Sequence, residues 1–306
     1  MTIDKLDFSS EKEVAEFVNS CEEKYFSDVK TACKLALSGG RIITLCGPTC
    51  SGKTTTALIL DDEFKQCGKE LHTISIDDFY FDCTFLEERS KKIGEPLDYD
   101  SPATIDIELF AKVLEEIERG GKVKLPKFDF KSGSRTGFEE INITGGDVFL
   151  FEGIQAVYPE LTKYLAGHDY TSLFISVEDD LCCFGEVFEK STLRFFRRLV
   201  RDARTRGASA EFTFSLWDSV ISNEKKNIYT NLDGIDFRIN SLMEYEVSVI
   251  KPFVLVLLES IEKGSAHFEK ARALVKKFEN IPTIDAKYVP ETSVFREFIG
   301  KKALNS

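Results

Sequence analysis

The sequence predicts an α/β fold: a doubly wound, mostly parallel sheet with helices on both faces and further helices at the two ends of the chain. Three observations carry the prediction. Short apolar runs at 41–46, 71–76, 147–151 and 171–177 alternate with helix-period stretches at 53–66, 106–119, 191–206 and 211–227, the pattern of successive βαβ units. The first run, 41-RIITL-45, passes directly into 46-CGPTCSGKTTTALIL-60, so that two glycines, a lysine and several hydroxyls stand where strand turns into helix. Apolar residues make up 42% and charged residues 30% of the 306, which supports one large core or two small ones.

The remaining elements follow along the chain. Val14, Phe17, Val18, Cys21, Tyr25 and Val29 recur at steps of three and four, which predicts a helix over 11–37, stopped by Ser38, Gly39 and Gly40. The stretch 78–103 is polar and broken by Gly94, Pro96 and Pro102, and is expected to be an ordered functional loop. From 123-VKLPKFDF-130 through Gly133 and Gly137 to 141-INI-143 a small hairpin is expected. Residues 241–262 and 265–279 read as helices, and so does 292–299, begun by Thr292 or Ser293 and stopped by Gly300. Tyr245, Val249, Phe253 and Val256 make an apolar stripe, expected as core or as a subunit contact in a homo-oligomer. His72 is expected as a packed residue and Cys182–Cys183 carries no signal. The division expected is a helical extension over 1–40, a main domain over 41–262, and a C-terminal helical segment over 263–306 that packs on it.

Charge and composition exclude several classes. Fifty-two acids against 40 bases leave a net charge of −12, which speaks against nucleic acid or anionic membrane as partners. The N-terminal stretch has no apolar secretory core, and the longest apolar run, 253-FVLVLL-258, is too short to span a bilayer. Eight scattered cysteines and three separated histidines show no zinc spacing, so free thiols in a reducing cytosol are expected.

Gly47, Gly52, Lys53 and Thr54 fit G-x-x-x-x-G-K-[ST]. In that spacing the backbone N–H groups from Gly47 through Pro48, Thr49, Cys50, Ser51 and Gly52 to Thr55, proline excepted, converge on a polyphosphate, and the helix that follows aims its positive end at the same point. Lys53 is placed to reach the outer phosphates and the Thr54 hydroxyl to ligate magnesium. Two later runs end in acid: 71-LHTISI-76 at Asp77 and Asp78, and 147-DVFLF-151 at Glu152. Ligands of open α/β sheets sit at such strand ends, so these carboxylates are candidates to hold magnesium or accept a proton, with a turn cap as the other reading of Asp78. No N-K-x-D base-reading motif follows, which speaks against a GTPase.

The segment 191-STLRFFRRLVRDARTRG-207 sets six arginines against one acid in an acidic protein. Arg194, Arg197, Arg198 and Arg201 share one helix face by their spacing of three and four. Four unpaired cations in a row would repel one another unless an anion stood opposite, and a triphosphate is such an anion. A solvated face answering acids elsewhere is the bland reading. Phe195, Phe196, Leu199 and Val200 are expected to pack the helix down.

Taken in order, GPTCSGKTT, SIDDFYFD, DYDSPATIDIELF, LPKFDFKSGSRTG, FLFEGI, LRFFRRLVRDARTRG and SVFREFIG resemble the uridine kinase and phosphoribulokinase group of P-loop kinases, nearest to a bacterial branch of uridine kinase-like nucleoside kinases. The likeness runs from Gly47 to about Gly300. It implies a kinase that uses ATP, or GTP, with Mg²⁺ to phosphorylate a nucleoside 5′-hydroxyl, uridine or cytidine first. By the resemblance, Asp77 takes the hydroxyl proton, Asp100 holds the ribose hydroxyls, Tyr80, Phe128 and Arg135 border the acceptor, and Glu152 organises the metal with Thr54 and Asp77. Arg194 and Arg197, with Arg198 and Arg201, belong to a lid over the nucleotide. The chain departs from the family where Phe128 replaces a tyrosine, where a histidine near Gly133 is missing, and near Trp217 where a glutamine is expected. The resemblance therefore carries the phosphoryl transfer and the sugar rather than the base. It also departs at residues 1–38, which stand where many relatives of this branch have a longer extension. Two other readings stay open: a kinase for another small alcohol, with Lys91, Lys92, Lys127 and Lys131 answering a second phosphate, and a nucleotide-binding regulatory module without turnover.

Overall fold

The computed structural model describes residues 3–94 and 101–300. Along the chain lie α1 (Glu11–Ser38), β1 (Ile42–Cys46), α2 (Lys53–Gln66), β2 (Glu70–Ser75), α3 (Cys83–Ile93) and α4 (Ile107–Arg119). The hairpin strands β3 (Gly121–Asp129) and β4 (Ser134–Ile143) follow, then β5 (Asp147–Glu152), α5 (Pro159–Leu165) and β6 (Tyr170–Ser176). A short second hairpin, β7 (Leu181–Cys183) and β8 (Glu186–Phe188), precedes α6 (Lys190–Arg206) and α7 (Ala210–Asn227). The last elements are β9 (Phe237–Asn240), α8 (Glu246–Glu259), α9 (Phe268–Lys277) and α10 (Arg296–Ile299).

Five strands form one sheet in the order β2-β5-β1-β6-β9, every adjacent pair parallel. β1 lies at its centre and is buried along its whole length, as a strand covered on both faces must be. Alternate side chains feed two cores. Ile43, Leu45, Val148, Leu150, Leu173 and Ile175 join the larger core, under α1, α2, α6 and α8. Ile42, Cys46, Phe149, Phe151 and Phe174 join the smaller one, under α4 and α5. Helices thus cover both faces, which is the doubly wound arrangement. Fully burying a phenylalanine such as Phe149 or Phe151 contributes about 1.5–3 kcal/mol relative to exposure, so the sheet is locked from both sides.

α1 starts where the Ser10 hydroxyl accepts from the Glu13 amide, and it buries the stripe predicted for it against the larger core. Its Tyr25 hydroxyl shares a hydrogen bond of 2.7 Å with Thr56 in α2, tying this helix to the one that follows the glycine-rich loop. Two residues of the expected α8 stripe, Tyr245 and Val249, are core, whereas Val256 is exposed. Among the described residues, no helix is long and apolar enough to cross a membrane.

The structure corrects the prediction in four places. The stretch 78–103, expected as loop, holds α3, closed by Gly94 in the left-handed region at φ 73°. Residues 292–299 are helical only from Arg296, because the Ser293 hydroxyl accepts from the Phe295 amide in a tight turn ahead of the helix. β9 and the β7–β8 hairpin have no counterpart in the predicted elements. The expected helix over 241–262 begins at Glu246, since the Ser241 amide still donates to Ser176 O and continues the β6–β9 pairing.

Candidate active site

The glycine-rich loop spans the short gap between β1 and α2. Two of its residues sit in the left-handed backbone region, Cys50 at φ 58° and Gly52 at φ 97°. A non-glycine residue there is strained, and strain of this kind persists only where the surroundings dictate it. At Gly52 a side chain is also excluded sterically: a Cβ would lie 2.3 Å from Val294 Cγ2. α2 then begins at Lys53, with the Thr56 amide and hydroxyl both bonded to Gly52 O, so its unsatisfied N-terminal amides face the loop. Lys53 Nζ donates to Gly47 O at 2.8 Å and to Pro48 O at 3.1 Å, which holds the ammonium inside the loop's curve. Ser51 is fully buried, and among the described residues its hydroxyl has no hydrogen-bond partner. Thr54 is exposed in the first turn of α2, and the Thr55 hydroxyl donates to Glu297 near the C-terminal end.

Parallel register brings the acids to this loop. Leu45 of β1 and Ser75 of β2 both pair with Glu152, so the last residue of β5 stands between the loop and the end of β2. Asp77 follows in a short 3-10 turn, Ile76–Phe79. Burial pushes the Glu152 carboxyl above its ordinary value; Lys53 opposes the rise and the negative charge of Asp77 adds to it. Asp78, in contrast, accepts from the Phe128 amide at 2.9 Å, 50 residues along the chain, and so ties the turn to the β3–β4 hairpin rather than capping a turn of its own. A cleft of ≈ 360 Å³ opens over this junction, and Thr49, Lys53, Asp77, Glu152, Arg198 and Glu224 are in its wall.

The arginine helix departs most from expectation. Arg194, Arg197, Arg198 and Arg201 do share a face of α6, but they are not unpaired. Arg194 is buried, with Nη1 and Nη2 each 2.8 Å from the two carboxylate oxygens of Glu224 in α7. Arg197 is fully buried and bonds Glu246 at 2.7 Å, Ser241 O at 2.7 Å and Cys50 O at 3.4 Å. Burial pushes the Glu246 carboxyl up, with Arg197 opposing. Arg198 and Arg201 both bond Asp202. The expectation of four cations awaiting an outside anion is therefore corrected: Arg194 and Arg197 brace the loop with internal acids, while Arg198 and Arg206 reach the cleft. Glu224 also accepts from the Thr49 amide at 2.9 Å, so the same carboxylate bonds the loop and the arginine helix.

Toward the β3–β4 hairpin, Tyr80 lines the cleft; its ring is 5.8 Å from that of Phe128, which stands outside the cleft wall and is 5.2 Å from Phe130. Arg135 does not reach the cleft wall. Its Nη2 donates to Tyr80 O and to Asp106, fixing the turn from behind. Asp100 lies outside the described residues. Gln155, Asn223 and Glu224 are cleft residues that the sequence reading missed. Gln155 had a usable signal, three residues after the strand-end glutamate. Glu224 had none, because its partners are 175 and 30 residues away.

The model of the phosphoribulokinase / uridine kinase family matches residues 42–248, from β1 to the first turn of α8. The chain belongs to this family. Members are phosphotransferases that act on an alcohol acceptor with a nucleotide as phosphate donor, and this family member is one of them. Among relatives, it is 27% identical over 183 residues to a uridine kinase of Ureaplasma parvum serovar 3, covering 59% of this chain and 78% of that protein. It is 25% identical over 271 residues to a uridine kinase of Schizosaccharomyces pombe, covering 86% of this chain and 55% of that one. It is 30% identical over 171 residues to uridine-cytidine kinase B of Dictyostelium discoideum, covering 56% and 61%. The family match includes the loop, Asp77, Glu152 and the whole of α6, the elements that surround the cleft.

Proposed function

We propose that this protein transfers the γ-phosphoryl group of ATP to the 5′-hydroxyl of a nucleoside, uridine or cytidine first. The observation that carries the reading is the meeting of Lys53, Asp77 and Glu152 in one cleft at the carboxyl ends of β1, β2 and β5. The curated relatives named above are uridine or uridine-cytidine kinases, which supports a nucleoside as acceptor.

In this reading the amides of the loop and the first turn of α2 cradle the triphosphate, and Lys53 leaves the loop carbonyls for the outer phosphates. Arg198 supplies a second positive charge from the arginine helix. Asp77 accepts the proton of the acceptor hydroxyl, and Tyr80 and Phe128 border the space the nucleoside enters. Two cleft carboxylates whose charges act on each other, one of them raised by burial, form a donor set suited to a divalent cation. Glu152, Asp77 and the Thr54 hydroxyl would hold Mg²⁺, which when bound neutralises charge on the phosphates. All eight cysteines are free, which suits a reducing cytosol. Lys127 is engaged with Glu139 at 3.1 Å, so nothing singles it out for a second substrate phosphate.

The test is a panel of nucleosides and small alcohols assayed for ADP release with ATP and magnesium, with Asp77→Asn alongside. The expected result is turnover with a pyrimidine nucleoside, and in D77N a loss of about 10²–10⁴-fold in kcat with ATP binding retained. Release no greater than with water for every acceptor would overturn the reading.

A further inference from the structure

Gln155 stands in the 3-10 turn Ile154–Val157, just past the end of β5, and is 1% exposed in the cleft wall. Its amide nitrogen donates to Asp77 Oδ1 at 2.9 Å and to the Tyr80 hydroxyl at 3.2 Å. A carboxylate only accepts, so Asp77 dictates which end of the amide faces it. The amide oxygen is consequently turned away, buried and without a hydrogen-bond partner among the described residues. A leucine would fill similar space without leaving a buried oxygen unsatisfied. A polar side chain kept here at that cost calls for an interaction only the amide makes, and donation to Asp77 is that interaction.

The surrounding backbone is shaped for it. A Cβ at Gly153 would lie 2.6 Å from Gln155 Oε1 and 3.1 Å from Ile76 Cβ. Gly153 has φ 161°, which is extended backbone open to any residue. It is the close approach of the Gln155 amide, rather than backbone strain, that a side chain at 153 would meet, and it would push that amide aside.

We propose that Gln155 is a positioning residue for phosphoryl transfer: it holds the Asp77 carboxylate toward the acceptor hydroxyl and ties it to Tyr80. Gln155 acts through Asp77 and makes no bond to the transferred group. The inference deepens the proposed function and rests on Asp77 as proton acceptor.

The test compares Gln155→Leu and Gly153→Ala with the parent protein and with D77N, measuring kcat, KM for the acceptor, ATP affinity and thermal midpoint. G153A keeps the amide but displaces it, so the test stands even if Q155L fails to fold. In Q155L, kcat is expected to fall about tenfold to a hundredfold with ATP affinity unchanged, as for a misplaced reacting group. KM for the acceptor is expected to stay near the parent's, because Gln155 places the base and not the substrate. G153A is expected to lower kcat in the same way, with acceptor KM little changed. Unchanged kcat, or a fall in kcat matched by a rise in acceptor KM and a loss of thermal midpoint, would reduce Gln155 to packing and overturn the inference, while a D77N collapse leaves the role of Asp77 standing. Parent-like turnover in D77N would instead remove the proposed role of Asp77, and this inference with it.

Discussion

Glu224→Ala probes the brace between the arginine helix and the loop. The Glu224 and Arg194 side chains are 6% and 3% exposed, and they are joined by two parallel bonds of 2.8 Å each. Removing one member of such a pair leaves the other charged, buried and unanswered, which costs about 3–5 kcal/mol. The Thr49 amide loses its acceptor as well, for about another 1 kcal/mol. Against a total stability of about 5–15 kcal/mol, this is a large fraction. Removing both charges in Glu224→Leu with Arg194→Met should recover most of the loss, since apolar replacements of a buried pair are close to neutral. Urea unfolding of the parent, both single variants and the double variant reads the loss and the coupling directly. A cost below about 1 kcal/mol for E224A, the range of an exposed pair, would refute the reasoning.

Three further outcomes follow from the geometry. Burial raises the Glu152 carboxyl, so its ionisation opposes folding: the penalty is absent below the unfolded-state value and grows as pH rises through the folded one. Glu152→Gln should therefore be more stable than the parent at pH 7 but equal to it in acid, while losing metal-dependent turnover; a thermal midpoint unchanged at pH 7 would contradict this. Gly52→Ala puts a Cβ 2.3 Å from Val294 Cγ2 at φ 97°, and should lose about 1–2 kcal/mol for the backbone alone together with nucleotide binding, read by calorimetry. Burial pushes the Cys46 thiol up to about 12 and raises Cys50 too, so iodoacetamide should label exposed Cys67 and Cys182 first; early labelling of Cys50, found by mass spectrometry, would mean the loop opens readily.

Much of the fold was legible in the sequence because β1 and β5 are covered on both faces and read as unbroken apolar runs, with helix periods between them. α3 was not, because CTFLEERSKKI buries little: it is a polar helix held by its Gly94 cap rather than by an apolar stripe. β9 was not, because Phe237–Asn240 is a four-residue edge strand carrying Arg238, and only pairing with β6 makes it a strand. In the site, the loop and the strand-end acids announced themselves through spacing and position. The arginine stripe announced its face but not its partners, since Arg197 meets Glu246 only after 49 residues of chain have folded back. Charge counting along one helix cannot see an acid delivered by another.

The most direct test of the central claim is ³¹P NMR of the products formed from ATP, magnesium and uridine in the presence of the protein. The account predicts a 5′-phosphomonoester of the nucleoside appearing in step with ADP, and its disappearance in D77N with ATP still bound. Inorganic phosphate alone, or no consumption of ATP, would contradict it.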